Sequence, residues 1–196
     1  MKVEDAFNLE RLFPKNITEI WLEIGFGSGE HIKWQLDNKK NIAIIGCEPY
    51  LNGVANLLAL LNKEQLQRVK IFRGDARKII TSLKTGSISK VVILFPDPWP
   101  KKKHHKRRII NKNLIKNLSS ILIENGELRV ASDHNNYVSW MLHHFLNSHN
   151  LIWVAKSKED FLKKPENWPS TKYEERAKKL GSICYFFQFF KLNKNN

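Results

Sequence analysis

The sequence contains little cysteine and no long apolar run, and each absence excludes a class of protein. Its 196 residues include only two cysteines, Cys47 and Cys184, each alone in an apolar segment, so we expect buried, reduced thiols. No Cys-x-x-Cys or Cys/His spacing indicates zinc, and no metal is predicted. No stretch reaches the roughly 18 apolar residues of a membrane span. The first residues also lack a signal-peptide layout, so we expect a soluble cytoplasmic protein.

Acidic residues are scarce relative to basic ones. The chain has 33 Lys and Arg against 19 Asp and Glu, a formal net charge of +14. Such an excess predicts attraction to polyanions and says little about the fold. Because no basic amphipathic helix with a clear apolar face stands out, the charge favours nucleic acid over a membrane surface as the partner.

Apolar segments of strand length alternate with helical patterns along the chain. The strand candidates are residues 19–24, 41–47, 69–72, 90–95, 127–131, 151–155 and 183–190. The helix candidates between them are residues 28–36, 51–61, 77–83, 109–123 and 134–146. Continuous apolar strands separated by helices predict a mostly parallel sheet covered on both faces. The length suits one domain, so we predict a single α/β domain over residues 1–196.

A glycine-rich turn follows the first strand candidate, in the pattern E-x-G-x-G-x-G formed by Glu23, Gly25, Gly27 and Gly29. Ligands of such sheets bind outside the carboxyl ends of the strands, near the point where strand order reverses. A dinucleotide fingerprint requires glycine at the position of Glu30, and a P-loop ends in Gly-Lys-Ser/Thr, which is absent. A carboxylate ahead of the turn instead suits a cationic group, such as an ammonium or a sulfonium.

Carboxylates also follow the second and third strand candidates. Glu48 ends the second, where it can accept hydrogen bonds from ribose hydroxyls. Asp75 ends the third, within reach of an adenine edge. Each alone is equally well explained as a helix cap or a solvated side chain. Together with the glycine turn they predict a site for S-adenosylmethionine.

The fourth strand candidate is followed by Pro-Asp-Pro-Trp-Pro and then by six basic residues and two histidines within eight positions. Asp97 is the carboxylate of this loop. Trp99 is either a stacking platform for a base or a core tryptophan. Residues 101–108 either contact phosphates or form a solvated charge run, and the net charge favours phosphates. His104 and His105 are adjacent and cannot share one helix face, so we expect surface histidines.

These motifs resemble those of the bacterial tRNA (guanine-N7-)-methyltransferases, the TrmB family. They follow the family's order and cover most of the chain; the Pro-Asp-Pro-Trp loop is highly specific, whereas the glycine motif is common among methyltransferases. The matching segments are Leu22-Glu-Ile-Gly-Phe-Gly-Ser-Gly29, Gly46-Cys-Glu48, Gly74-Asp-Ala76, Phe95-Pro-Asp-Pro-Trp-Pro-Lys101 with the basic tail, Ser132-Asp133 and Thr171-Lys-Tyr-Glu174.

The resemblance implies a Rossmann-like class I methyltransferase fold and methyl transfer from S-adenosylmethionine to N7 of a variable-loop guanosine in tRNA, forming 7-methylguanosine. It implies Asp97 as the catalytic residue. The cofactor site would be lined by Glu23, Gly25, Gly27, Gly29, Glu48, Asp75 and Asp97. The substrate would be bound by Lys101, Lys103, Asp133, Thr171, Lys172, Tyr173 and Glu174. No obligatory protein partner is expected, and the chain would act as a monomer or a homodimer.

The chain departs from the pattern of the family that it resembles at two places. Lys103 stands where many members of that family carry an arginine, and it lacks the planar fork that binds phosphate bidentately. The segment before the first strand is also shorter than the basic extension that relatives often have. Both departures bear on the affinity for tRNA.

The chemistry of the implied target limits what the site must supply. Guanine N7 carries a lone pair and no proton, so its attack on a methyl group requires no general base. Asp97 is then better suited to orient the base and to stabilise developing positive charge. Carboxylates also accept from the guanine amino group and N1–H, for which Asp133 and Glu174 are the candidates.

Other interpretations stay open at this point. Ser170 or Thr171 can simply cap a short helix that runs to Leu180 and is ended by Gly181. A methyltransferase for another base, with an Asn/Asp-Pro-Pro-aromatic loop, fits the order of residues here poorly. An RNA-binding module without a cofactor is disfavoured by the intact glycine turn, and a nicotinamide oxidoreductase by the glycine spacing.

Overall fold

The strand candidates form one seven-stranded sheet in the computed structural model, which describes Met1 and residues 9–193. The strands are β1 (Glu19–Ile24), β2 (Ile42–Cys47), β3 (Val69–Phe72), β4 (Ile88–Leu94), β5 (Leu122–Ser132), β6 (Leu151–Trp153) and β7 (Tyr185–Lys191). Part of the segment read for a signal peptide and the last residues of the predicted domain, 2–8 and 194–196, lie outside the described residues.

The sheet order is β3-β2-β1-β4-β5-β7-β6. Strands β1 to β5 pair in parallel, β7 is antiparallel to β5, and β6 is antiparallel to β7. The mostly parallel sheet is therefore confirmed. The order reverses between β1 and β4, which makes the carboxyl ends of these two strands the expected place for a ligand.

Helices cover both faces of the sheet, as predicted. They are α1 (Glu30–Asn38), α2 (Leu51–Leu60), α3 (Lys63–Gln67), α4 (Ala76–Ile80), α5 (Lys112–Ile121), α6 (Asn135–Leu146), α7 (Glu159–Leu162) and α8 (Lys172–Lys179). Two short 3₁₀ helices are Leu9–Arg11 and Lys102–Arg107. The prediction of one helix over 109–123 was too long, because Leu122 turns to an extended backbone and pairs with Ile88 as the start of β5.

The two faces of the sheet bury separate apolar clusters. The larger lies under α4, α5 and α6 and the smaller under α1 and α2. A third, small cluster fixes α8 against β5 and β7 through Trp168, Ala177 and Phe186. Both cysteines are free and buried, as predicted, and burial raises the pKa of the Cys47 thiol. The packing leaves the carboxyl edge of the parallel strands as the open side of the sheet.

Candidate active site

A cleft of about 580 Å³ opens at the carboxyl edge of the sheet, where the strand order reverses. Its walls come from the segments that follow β1, β2, β3 and β4, together with α2 and the first turn of α8. Small-molecule sites commonly have volumes of roughly 300–1,000 Å³ and occupy this position in open α/β sheets. Six of the predicted site residues line the cleft, namely Gly25, Gly27, Glu48, Asp75, Asp97 and Tyr173.

The glycine turn between β1 and α1 passes through three left-handed residues. The φ angles are +72° at Gly25, +56° at Gly27 and +84° at Gly29, values that cost free energy for residues with a Cβ. A Cβ at Gly29 would also lie 2.6 Å from the Leu57 side chain of α2. Gly29 therefore packs against α2 and does not line the cleft, whereas Gly25 and Gly27 do.

Glu48 holds the glycine turn and the start of α2 together. Its buried carboxylate accepts hydrogen bonds from the Gly27 N–H at 2.9 Å and from the Tyr50 N–H at 3.0 Å. Gly53 of α2 packs on the same turn, and a Cβ there would lie 2.4 Å from the Gly27 carbonyl oxygen. Gly53 lines the cleft, and its only signal in the sequence is a glycine inside a helical pattern.

Asp75 lines the cleft and also begins α4. Its carboxylate accepts from the Arg77 N–H at 3.0 Å and pairs with the Arg77 guanidinium. The hydrogen bonds from the Arg77 side chain hold the pKa of the Asp75 carboxyl below its ordinary value, against the opposing effect of burial. The capping role and the place in the cleft wall are thus both present in one residue.

The loop after β4 presents Asp97 to the cleft as an exposed side chain. Two loop residues other than glycine are left-handed, Phe95 with φ +50° and Trp99 with φ +43°. Such conformations cost free energy and are concentrated at functional sites. The Phe95 N–H donates to the Ala131 carbonyl at 2.8 Å, which ties the start of the loop to β5.

Trp99 is half-buried in the cleft wall and does not belong to the apolar core. The Arg107 guanidinium carbon lies 4.8 Å from the centroid of the Trp99 ring, and the His104 ring lies 5.9 Å away. Of the two alternatives for Trp99, the core tryptophan is wrong. Its ring is available as part of a stacking surface at the mouth of the cleft.

Glu23 does not line the cleft. Its buried carboxylate lies 2.6 Å from Nδ1 of His31 on α1. His31 Nε2 lies 3.2 Å from the Gln35 side-chain amide nitrogen, so Glu23, His31 and Gln35 form a buried chain of polar contacts. A direct contact of Glu23 with a cationic cofactor stays a prediction. What the structure shows is a polar support beneath the glycine turn.

The basic arm, defined as residues 101–108, follows the loop and contains the 3₁₀ helix Lys102–Arg107, in which the Lys and Arg side chains are exposed and the two histidines are half-buried. Lys101 and Lys103 are exposed and lie outside the cleft wall. Arg108 is 1% exposed, so the expectation that the whole arm faces phosphates is wrong at this residue. Asp133 is half-buried directly after β5, on the sheet edge that also carries Asp97.

The Thr171–Glu174 segment divides into two pairs of residues. Thr171 caps α8 by accepting from the Glu174 N–H at 3.2 Å, so the predicted capping role is confirmed. The Glu174 carboxylate is buried and paired with Lys178 and with Lys164, the latter at 3.3 Å. The other pair reaches the glycine turn, where Tyr173 packs on Gly27 and Lys172 bonds Glu30 at 2.8 Å.

His104 and His105 of the basic arm are less exposed than expected, because His104 packs beside Trp99 and His105 beside Trp140. The rings of His105 and His144 lie 5.6 Å and 4.8 Å from Trp140, measured between centroids. Among the described residues, no group of three or more His, Cys, Asp or Glu side chains is arranged to hold a metal ion. Within the same part of the chain, no helix is long and apolar enough to cross a membrane.

Known proteins are similar to this chain in sequence over most of its length. A family model described as "Putative methyltransferase" matches residues 18–187. A tRNA (guanine-N(7)-)-methyltransferase of Chelativorans sp. (strain BNC1) is 39% identical over 184 residues, which cover 94% of this chain and 79% of that protein. One of Agrobacterium fabrum (strain C58 / ATCC 33970) is 37% identical over the same shares. The chain belongs to the tRNA (guanine-N(7)-)-methyltransferase family.

Solved structures agree with the fold of this tRNA (guanine-N(7)-)-methyltransferase family member. The aminoglycoside resistance methyltransferase NpmB1 superposes with a TM-score of 0.62 at 12% identity, covering 98% of this chain and 94% of that chain. An rRNA methylase from Streptococcus thermophilus gives 0.61 at 10% identity, covering 94% and 92%. These identities show the fold alone, and the Rossmann-like class I methyltransferase fold is confirmed.

Proposed function

We propose that the protein transfers a methyl group from S-adenosylmethionine to N7 of a guanosine in the variable loop of tRNA, in the cytoplasm. The observation that carries the proposal is the cleft at the point of strand reversal. One side of it is the glycine turn with Glu48 and Asp75, and the other is the Asp97 loop that leads into the basic arm. Membership of the tRNA (guanine-N(7)-)-methyltransferase family agrees with this arrangement.

The chemistry of the cleft fits the cofactor. Three carboxylates, from Glu48, Asp75 and Asp97, line it against one guanidinium, from Arg107. This balance suits a ligand that carries a sulfonium and an ammonium group. Glu48 lines the cleft and each of its oxygens accepts one backbone N–H, so a ribose diol can donate to the lone pairs that these bonds leave over. When bound, the cofactor supplies an electrophilic methyl group on sulfur.

Asp97 orients the base and stabilises the charge that forms on it. Methylation places positive charge on the purine, and a fixed carboxylate nearby favours that change. Since N7 has no proton to lose, no side chain in the cleft is required to act as a base. Strained residues stand on both sides of Asp97, and because such conformations persist only where the surroundings enforce them, the loop is held in one geometry, which favours in-line attack.

The two candidates for holding the guanine donors differ in their environments. The Glu174 carboxylate is 1% exposed and bonded to two lysines, so we assign it to the support of α8. Asp133 is half-buried at the carboxyl edge of β5, next to β4, which the Asp97 loop follows. We therefore propose Asp133 as the acceptor for the guanine amino group and N1–H.

Recognition of the tRNA backbone is proposed for the exposed lysines of the basic arm and Arg107. They lie within a few residues of Asp97 in the chain, so phosphates bound there bring the nucleotide to the cleft. Each neutralised phosphate releases counterions, and binding should weaken steeply with salt. Tyr173, which packs on Gly27, lines the cleft at the glycine turn, and Lys172 beside it bonds Glu30. The protein acts as a monomer or a homodimer in this proposal.

The test is methyl transfer from labelled S-adenosylmethionine to an unmodified tRNA transcript. A second transcript has the variable-loop guanosine replaced by adenosine, and the product is mapped by chain cleavage at N7-methylated positions. Label at that guanosine, absent from the replaced transcript, supports the proposal.

Other outcomes of this assay separate the parts of the proposal. Label at another base would support S-adenosylmethionine as the methyl donor and contradict the variable-loop guanosine as the target. A folded protein that binds no cofactor and transfers no label contradicts the enzyme and favours an RNA-binding module.

A further inference from the structure

Arg108 is the one residue of the basic arm that is buried. Only 1% of its surface is exposed, whereas the other cationic residues of the arm are exposed, namely Lys101, Lys102, Lys103, Lys106 and Arg107. A residue without access to solvent cannot bind a phosphate on the surface of a tRNA. Its role must therefore differ from that of its neighbours in the sequence.

Two hydrogen bonds and two aromatic rings hold the guanidinium. Nε of Arg108 donates to the Pro98 carbonyl at 2.9 Å, and a terminal nitrogen donates to Asn136 Oδ1 at 2.7 Å. The guanidinium carbon lies 4.9 Å from the centroid of the Tyr137 ring and 5.1 Å from that of Trp140. In the described part of the chain, no carboxylate is paired with this cation. The charge is thus directed at a backbone carbonyl and not at an acid.

That carbonyl belongs to the peptide between Pro98 and Trp99, directly after Asp97. The orientation of this peptide is tied to the backbone of Trp99, which has φ +43°. A non-glycine residue keeps such a conformation only when its surroundings enforce it. Arg108 is one of the groups that enforce it, because its bond to the Pro98 oxygen fixes the peptide plane from the side of α6.

Burying a cation without an acidic partner is costly, and an apolar side chain would fill the space between Tyr137 and Trp140 at lower cost. The guanidinium geometry explains why arginine stands here. Its planar fork donates from two nitrogens to two acceptors while the delocalised cation lies over the two aromatic rings. A lysine has neither the fork nor the flat face.

We propose that Arg108 is a positioning residue for methyl transfer, which holds the Pro98 carbonyl so that Asp97 and Trp99 are presented to the cleft. It acts through the loop and contacts neither cofactor nor tRNA. The inference rests on the proposed function for its kinetic part. Arg108 also joins the Asp97 loop to the basic arm, since it directly follows the 3₁₀ helix that carries the exposed lysines.

The experiment compares Arg108→Lys and Arg108→Ala with Lys106→Ala and with Lys116→Ala, which removes an exposed cation from α5. Measurements are kcat, KM for tRNA, and the salt dependence of tRNA binding. We expect both Arg108 variants to lower kcat about tenfold to a hundredfold, because misplacement of a catalytic group by an ångström has this size of effect. Their salt slope should equal that of the wild type.

The control variants should behave differently. Lys106→Ala should flatten the salt slope by about one unit per lost phosphate contact. Lys116→Ala should leave kcat and KM unchanged. Added guanidinium at millimolar concentration should restore part of the kcat of Arg108→Ala and leave Lys106→Ala unaffected. An Arg108 variant with normal kcat and a flattened salt slope would show a phosphate contact and overturn the proposal.

Two further measurements keep the inference testable if Arg108→Ala does not fold or if the wild type methylates no tRNA. Asn136→Ala leaves the arginine but removes one acceptor, and it should lower kcat less than Arg108→Lys does, again without a change in salt slope. Hydrogen exchange of the peptide covering residues 95–108 needs no activity, and it should accelerate in Arg108→Lys while the glycine turn stays protected. Unchanged exchange in that peptide would overturn the positioning role whatever the substrate is.

Discussion

The two sides of the cleft are built in different ways. On the glycine-turn side, Glu48 is buried and its oxygens bond to backbone N–H groups, while Gly29 and Gly53 allow contacts that a Cβ would prevent. On the loop side, Asp97 and most of the basic arm are exposed, and the geometry depends on two left-handed residues that are not glycine. One side is fixed by close packing, and the other by a few anchoring bonds.

The difference matches the ligands proposed for the two sides. A small cofactor of constant shape is best recognised by a rigid wall with few degrees of freedom. A large polyanion is recognised through exposed cations that can adjust to a phosphate backbone. The proposed catalytic role of Asp97 requires precision on the second side too, and in our proposal Arg108 supplies it through its bond to the Pro98 carbonyl.

The largest effect is expected for Asp97, where the loop side meets the chemistry. Asp97→Asn keeps the shape of the side chain and removes its charge, and we expect kcat to fall about a hundredfold or more. Single-turnover methyl transfer at saturating tRNA measures it. Glu124→Gln, an exposed carboxylate beyond the cleft, serves as the control. A normal rate in Asp97→Asn would show that the loop only shapes the cleft.

On the glycine-turn side the expected effect is on cofactor affinity. Glu48→Gln loses an acceptor for one of two backbone N–H groups together with the negative charge. We expect the Kd for S-adenosylmethionine to rise about tenfold to a hundredfold, as for a lost charged hydrogen bond. Calorimetry checks this against Glu64→Gln, an exposed carboxylate on α3. Equal affinities would mean that the rigid wall does not depend on Glu48.

Substitutions in the basic arm should change the salt dependence of tRNA binding more than the rate of methyl transfer. Lys101→Ala and Lys103→Ala should each weaken tRNA binding a few-fold and reduce the salt slope by about 0.7–0.9 for each lost phosphate contact. Binding titrations at several salt concentrations measure it, with Lys116→Ala as the charge-matched control. If the variant that combines both substitutions kept the wild-type salt slope, the basic arm would not contact phosphates.

The smallest effect is expected for Arg77, whose exposed pair with Asp75 lies at the edge of the rigid side. Arg77 lowers the Asp75 pKa on folding, so the pair stabilises the fold above the ordinary pKa of the carboxyl and this contribution is lost as pH falls through the lowered value. Arg77→Ala should cost about 0.5 kcal/mol at pH 7, after allowing for solvent screening. Urea unfolding at pH 7 and near pH 3 should show the difference shrinking in acid. A difference that grows in acid would contradict the assignment.

The strands and the residues at their ends were predictable from the sequence because each depends on local pattern. Apolar runs mark β1 to β5, and the carboxyl-edge rule then places Glu48, Asp75 and Asp97 at one site. The spacing of the glycines is also a local pattern, and it excluded a dinucleotide fingerprint and a P-loop. These features need no knowledge of how distant segments pack.

Contacts between distant segments could not be predicted in this way. Arg108 is one of six basic residues in a row of eight, and only the position of α6, 28 residues later, decides that it is the one turned inward. The bond between Glu23 and His31 depends on the path of the glycine turn. The burial of the Glu174 carboxylate depends on its ion pair with Lys164, which precedes α8. No sequence pattern indicates that these two residues pair.

The central claim, that this cleft methylates guanine at N7, is tested most directly by changing one atom of the target. A tRNA with 7-deazaguanosine at the variable-loop position has a C–H group in place of N7 and is otherwise isosteric. We expect it to bind as well as the unmodified tRNA and to accept no labelled methyl group. Transfer of label to this tRNA at the same rate would contradict the account, because the methyl group would then be going to another atom.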